Sequence, residues 1–228
     1  MISGIIIFLT WGKNPLHGDS APHDFSGLSL PVYQGRFHKL FQAVQTPLEH
    51  LLCLNRVNRV YAQAAGAPDW WHFLRGLLQA LQVQYEVAQE DLGRIPAQGP
   101  AVVVANHPFG GVEGVILPLL LGQVRRDVKI LANYLLRPVT ELQDLFIYVD
   151  PFGGRDATRA NLAGLKEARR WLQQGGLLGV FPAGEVSHLS WPQLKITDPV
   201  WSPTVAGLIR TSWAQAVPLF FAGHNGPL

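Results

Sequence analysis

The pairing best suited to proton transfer in this chain is His107 with Glu113, set in Asn106-His107-Pro108-Phe109-Gly110-Gly111-Val112-Glu113-Gly114. A carboxylate beside an imidazole can accept the Nδ1 proton, fix the tautomer and raise the basicity of the other ring nitrogen, which makes a general base. Gly110 and Gly111 lie between the two, and glycine's backbone freedom allows a turn tight enough to return the carboxylate to the ring. A plainer account uses the same residues: His107 ends a strand, and Glu113 is a favourable charge in the first turn of a helix. Two further polar loops follow apolar runs, Asp150-Pro151-Phe152-Gly153-Gly154-Arg155 and Phe181-Pro182-Ala183-Gly184-Glu185-Val186-Ser187-His188. Asp150 reads equally as a substrate contact or a loop cap. Ser187 beside His188 suggests a nucleophile and its base, but adjacent side chains rarely face each other, so His188 reads as a polar loop residue. His224-Asn225-Gly226 has turn chemistry.

The elements around these loops alternate between strand and helix. Ala101 to Ala105 is short and almost wholly apolar, the pattern of a parallel strand buried on both faces. Val112 to Leu121 reads as a helix, and Val128 to Ala132 and Phe146 to Val149 as strands. Asp156 is placed to cap a helix whose buried face is Leu162, Leu165, Ala168 and Leu172, ended by Gly175-Gly176. Leu177 to Phe181 is the next strand, Ser202-Pro203 opens a short helix, and Val217 to Ala222 is the last strand. Upstream, Val83, Tyr85 and Val87 have period two, whereas Trp70, Phe73, Leu74, Leu77, Leu78 and Leu81 share one helical face. A further helical period starts at Phe37, with Thr46-Pro47-Leu48-Glu49 able to cap a fresh helix. The expected architecture is an α/β domain over 83–228, a mixed, mostly parallel sheet with flanking helices, preceded by a helical segment over 37–82. Residues 1–36 show no period and are expected to be a poorly ordered leader.

Composition narrows the classes further. Hydrophobic residues make up 48% of the 228 positions and charged residues 15%, and mean hydropathy is +0.13. No apolar run approaches the roughly 18 residues of a spanning helix. Ile5 to Leu9 is too short, and it lacks the flanks of a signal peptide. The expectation is a protein at a membrane surface or an unusually apolar cytosolic fold, with Trp70 and Trp71 as candidate anchors and core aromatics as the competing reading. A net charge of +2 with scattered basic residues argues against nucleic acid as a partner. The lone Cys53, in an apolar stretch, rules out an intrachain disulfide and reads as a buried thiol.

Four ordered segments carry a resemblance to the glycerolipid and lysophospholipid acyltransferases over residues 85–228. Asn106-His107 leading to an acidic residue is similar to their first motif, Tyr148-Val149-Asp150 stands in the place of the second, Phe181-Pro182-Ala183-Gly184 resembles the third, and Val217-Pro218-Leu219 the fourth. The loops are most similar to the haemolysin-like branch, which includes lyso-ornithine lipid acyltransferases. The resemblance implies that His107 deprotonates the hydroxyl of a lysolipid acceptor, which attacks the thioester of acyl carrier protein or coenzyme A while Glu113 stabilises the imidazolium. It implies no bound cofactor and no metal, and a peripheral position on the cytoplasmic face of a bacterial inner membrane. Asn106, Gly110, Gly111, Asp150, Arg155, Phe181, Pro182, Gly184 and Glu185 are the substrate-binding positions it suggests. A chain ending at Leu228 suggests a fragment that lacks C-terminal helices of the family.

The departures from the family pattern concern charge and spacing. Five residues separate His107 from Glu113, where the family has four before an aspartate. Val186 and Pro151 stand where the family places phosphate-binding arginines, leaving Arg155 as a partial substitute. The expectation is an acceptor without a phosphomonoester, with Glu185 available to meet a cationic amine. Two alternatives come from other classes. One is a non-catalytic membrane-binding module of the same fold. The other is a metal-dependent hydrolase built on His107, Glu113, Asp150 and His188.

Overall fold

The computed structural model describes residues 5–11, 54–150, 155–190 and 195–222. Its first strand, β1 (Ile5–Trp11), is followed by helices α1 (Leu54–Ala64) and α2 (Trp70–Leu81), strand β2 (Val83–Val87) and the single turn α3 (Gln89–Leu92). Next come β3 (Ala101–Ala105), α4 (Gly111–Val124), β4 (Val128–Asn133), β5 (Phe146–Val149), α5 (Arg155–Gln173) and β6 (Leu177–Val180). A small hairpin, β7 (His188–Ser190) and β8 (Lys195–Thr197), precedes α6 (Pro203–Ser212) and β9 (Gln215–Ala222). The main sheet has seven strands in the order β2-β1-β9-β3-β6-β4-β5. Only the β1–β2 edge is antiparallel, and every other pairing in it is parallel. The expected mixed, mostly parallel sheet with flanking helices is what the chain forms.

Strand alternation sorts the core into two layers. In β3, Ala101, Val103 and Ala105 face a cluster shared with α2 and α4, while Val102 and Val104 face one shared with α5 and α6. Helix α4 is apolar around its whole circumference because it lies between the sheet and α2, and Ile116, Leu117, Leu120 and Leu121 are fully buried. Gly122 makes that packing possible: a Cβ there would sit 2.5 Å from the Trp71 ring. On the other face, α5 presents Gly164, Ala168 and Leu172 at successive four-residue steps. A Cβ on Gly164 would meet the Tyr148 carbonyl at 2.4 Å, so the missing side chain lets the helix lie directly on β5. This corrects the expected buried face, because Leu162 falls outside that stripe and is 53% exposed.

Two further expectations change. Ile5–Trp11 lies within the stretch expected to be a poorly ordered leader, yet it forms a strand paired with both β2 and β9. Ile5, Ile7 and Leu9 alternate inward and are buried, while Ile6 and Phe8 stay exposed. Partners on both sides, both far from it in the sequence, supply the backbone hydrogen bonds that a local reading could not foresee. The remainder of 1–36, Cys53 and the capping signal at Thr46 lie outside the described residues. The candidate anchors also face inward: Trp70 and Trp71 pack against the core beside fully buried Phe73, and the Arg126 guanidinium covers Trp71 at 3.9 Å from the ring centre. Among the described residues no helix is long and apolar enough to cross a membrane.

Candidate active site

Loops at the carboxyl ends of β3 and β6 meet beside the end of β9 on the α4 side of the sheet, where ligands of open α/β sheets bind. Beyond Ala105 the strand ladder stops, and side chains take over its work. Asn106 is the first: its Nδ2 donates to the Phe221 carbonyl at 3.1 Å, and its Oδ1 accepts from the Phe221 N–H at 2.7 Å. The amide thus continues the β3–β9 pairing by one step. Asn106 ties the loop down in this way. His107 follows, and its ring stacks on Phe181 with centroids 4.4 Å apart and planes 24° apart.

Gly110 turns the chain into α4 with φ of 84°, a left-handed conformation that glycine adopts at no steric cost. Gly111 needs no such freedom; it opens the helix, and the space beside it is empty. The turn carries Glu113 back toward the imidazole despite the extra residue, and its Oε1 lies 3.5 Å from His107 Nδ1. Glu113 is fully buried and the His107 side chain is 19% exposed. Oε1 also accepts the Phe109 N–H. The ring contact is an ion-pair approach rather than a formed hydrogen bond, because His107 Nδ1 and Glu113 Oε2 are both buried without hydrogen-bond partners. Leaving a buried carboxylate oxygen unpaired is costly. Its place in the first turn of α4 offsets part of that cost through the helix dipole.

The other loops frame this pair. Pro182 is buried, and its carbonyl accepts from the N–H of Ser202, the N-cap of α6. Gly184 turns with φ of 74°, and Glu185 is exposed after it. The Val186 side chain, where an arginine was expected from the family pattern, stands 3.6 Å from where a Gly110 Cβ would be. Asp150 is fixed through its backbone: its N–H donates to Asn161 Oδ1 at 2.6 Å and its carbonyl accepts from Asn161 Nδ2 at 2.8 Å. Arg155 begins α5, and its side chain and Pro151 lie outside the described part. Tyr148 faces the same layer as the site; its hydroxyl is buried without a hydrogen-bond partner. Burial pushes that phenol up, opposed by the Arg137 guanidinium, which lies 5.4 Å from the ring centre.

Two participants went unread in the sequence, Asp198 and Trp201. Asp198 Oδ1 accepts the His107 N–H at 3.2 Å and the Ser187 hydroxyl, and Trp201 Nε1 donates to Oδ2 at 2.9 Å. Thr197-Asp198-Pro199 carries ordinary turn chemistry, so nothing local marks Asp198 as belonging to a loop 91 residues upstream. Ser187 is turned toward Asp198, and exposed His188 pairs with Thr197 in the hairpin. The metal-hydrolase set of His107, Glu113, Asp150 and His188 is not assembled, as no three His, Cys, Asp or Glu residues gather as a metal-holding group among the described residues.

Fold and site together define an α/β protein that presents an imidazole–carboxylate couple at the carboxyl edge of a mostly parallel sheet. The chain belongs to the acyltransferase family, whose model, described as Acyltransferase, matches residues 55–227. It is also similar to two proteins named lyso-glycine lipid O-acyltransferase. The one from Phocaeicola vulgatus is 30% identical over 156 residues, which is 67% of this chain and 52% of that protein. The one from Bacteroides thetaiotaomicron is 29% identical over 158 residues, 67% of this chain and 53% of that protein. The chain therefore spans about half the length of the curated relatives it matches.

Proposed function

We propose that this chain transfers a fatty acyl group from a thioester of acyl carrier protein or coenzyme A to the hydroxyl of a lysolipid. The observation that carries the reading is the fully buried Glu113 carboxylate 3.5 Å from His107 Nδ1, at the sheet edge of a member of the acyltransferase family. His107 Nε2 takes the acceptor's hydroxyl proton as the oxygen attacks the thioester carbonyl carbon. The tetrahedral intermediate then expels the thiolate, which takes the proton back from the imidazolium as a thiol. Glu113 stabilises the imidazolium through Nδ1, and the Phe181 face beneath the ring adds a cation–π contribution. The products are an ester and a free thiol, with no net proton change.

The acceptor in this reading carries an amino-acid head group rather than a phosphomonoester. Desolvating a phosphate without a cation is costly. Valine and proline stand at 186 and 151, and exposed Glu185 adds negative charge to the same loop. The similar proteins named for lyso-glycine lipid support an amino-acid-headed acceptor. A lipid acceptor also places the enzyme against a membrane, peripherally and on the side where acyl thioesters are made.

Parallel assays of thiol release and diacyl-lipid formation test both levels. Lyso-glycine lipid, lyso-ornithine lipid and lysophosphatidic acid serve as acceptors with one acyl thioester. Transfer to an amino-acid-headed acceptor at least tenfold faster than to lysophosphatidic acid is expected. Absence of transfer to any lysolipid overturns the activity. Faster turnover of lysophosphatidic acid, lost selectively in Arg155→Ala, overturns the acceptor class.

A further inference from the structure

We infer that Asp198 is a positioning residue that sets where the His107 imidazole stands; the inference rests on the reading of His107 as general base. His107 lies beyond the end of β3, so no strand neighbour holds its main chain. Ser187 and Asp198 do so instead, from both sides. The Ser187 N–H donates to the His107 carbonyl at 2.9 Å, and Asp198 Oδ1 accepts the His107 N–H at 3.2 Å. The β7–β8 hairpin explains how two residues eleven apart come to act together. Pairing of His188 with Thr197 closes its base, which leaves Ser187 and Asp198 facing each other one step below.

Asp198 is itself held. Oδ1 also accepts the Ser187 hydroxyl, and Oδ2 accepts Trp201 Nε1 at 2.9 Å. A carboxylate gripping three donors is a rigid bracket, since such charge-assisted bonds are the stronger kind. The ring's tautomer and tilt, by contrast, belong to Glu113 and Phe181. The labour is thus divided: Glu113 governs what the imidazole does with protons, and Asp198 governs its distance from the reacting hydroxyl. Displacement of a reacting group by about 1 Å can cost on the order of a hundredfold in rate.

The test compares the parent with Asp198→Ala, Asp198→Asn and His107→Ala, measuring kcat, the KM of each substrate and the thermal midpoint. Asp198→Ala is expected to lower kcat roughly ten- to a hundredfold with each KM within about threefold. Asp198→Asn keeps an oxygen for the His107 N–H and loses the Trp201 contact, so it is expected within about fivefold of the parent. If Asp198→Ala does not fold, Asp198→Ser replaces it, its side chain being too short to reach His107. A kcat within threefold of the parent for the Ala or Ser variant, a loss confined to KM, or an Asn variant as slow as Ala each overturn the inference. Inactive His107→Ala beside fully active Asp198 variants would leave the general base standing and remove this proposal alone. Parent-like His107→Ala would remove both.

Discussion

The two ends of α4 carry two buried charges, and they are treated in opposite ways. At its C-terminal end, Arg125 is 8% exposed and fully engaged. It grips Asp127 with two nitrogens, one of them Nε at 2.6 Å, and it donates to the carbonyls of Gly99 at 2.8 Å and Gly175 at 2.5 Å. Those partners lie just before β3, β4 and β6, so one guanidinium fastens the amino ends of three strands. At the N-terminal end, Glu113 is buried more deeply and satisfied less, with one oxygen unpaired next to an unpaired imidazole nitrogen. A charge with every bond made is architecture, whereas one left short of partners holds bonding capacity for something else. The helix joins the two, so the anchored end fixes the geometry that the unsatisfied end requires.

The largest stability effect is expected from breaking the anchored end. Arg125→Ala leaves Asp127 and the loop carbonyls without their donor and should cost about 3 kcal/mol, a loss of roughly 10 °C in the thermal midpoint. Its kcat, measured where both proteins are folded, should stay within a few-fold of the parent. A comparable fall in kcat would mean that the two ends are not separable. Gly110→Ala comes next, because forcing φ of 84° with ψ of −113° on an L-residue costs about 1–3 kcal/mol. It also moves the turn that delivers Glu113, so urea unfolding and activity should decline together; an unchanged midpoint would show that the turn relaxes without strain.

Glu113→Gln reverses the sign. It removes a buried, poorly paired charge, so stability should hold or rise by up to about 1 kcal/mol while kcat falls about ten- to a hundredfold. Lower stability with unchanged kcat would assign Glu113 to the architecture. The smallest effect concerns Asp127, whose carboxyl is held below the usual aspartate range first by its hydrogen bond from Arg125 and then by that charge. A lowered folded-state pKa contributes stability above the unfolded value, and that contribution disappears as pH falls through the folded one. With the carboxylate 44% exposed, solvent screening keeps this below about 1 kcal/mol. Urea midpoints compared between neutral and strongly acid pH should therefore change slightly less in Asp127→Asn than in the parent; identical acid dependence would remove the pair from the account.

Much of this was legible in sequence where one segment carries its own signal. Ala101 to Ala105 is apolar at every position because both of its faces are covered, and Gly110 marks the turn that returns Glu113 to His107. What escaped depends on partners far away in the chain. Ile5–Trp11 becomes a strand because Gln215–Ala222 and Val83–Val87 flank it. Trp70 and Trp71 look like interface aromatics until α4 is laid against them, with Gly122 making room. Leu162 fails by helical phase, since the line of closest approach to β5 is set by glycine and alanine rather than by the larger residues. Asp198 stayed hidden because a turn aspartate looks the same whether it faces water or the backbone of His107.

In the proposed reaction the His107–Glu113 couple, at the unsatisfied end of α4, performs the proton transfer for acylation. The direct measurement is the acyl-transfer rate of His107→Ala on the acceptor the parent uses best, with thermal unfolding measured alongside. A loss of roughly a hundred- to ten-thousandfold in kcat is expected, with the thermal midpoint within a few degrees because the ring is partly exposed and leaves little void. A rate within threefold of the parent, in a protein that unfolds normally, would contradict it.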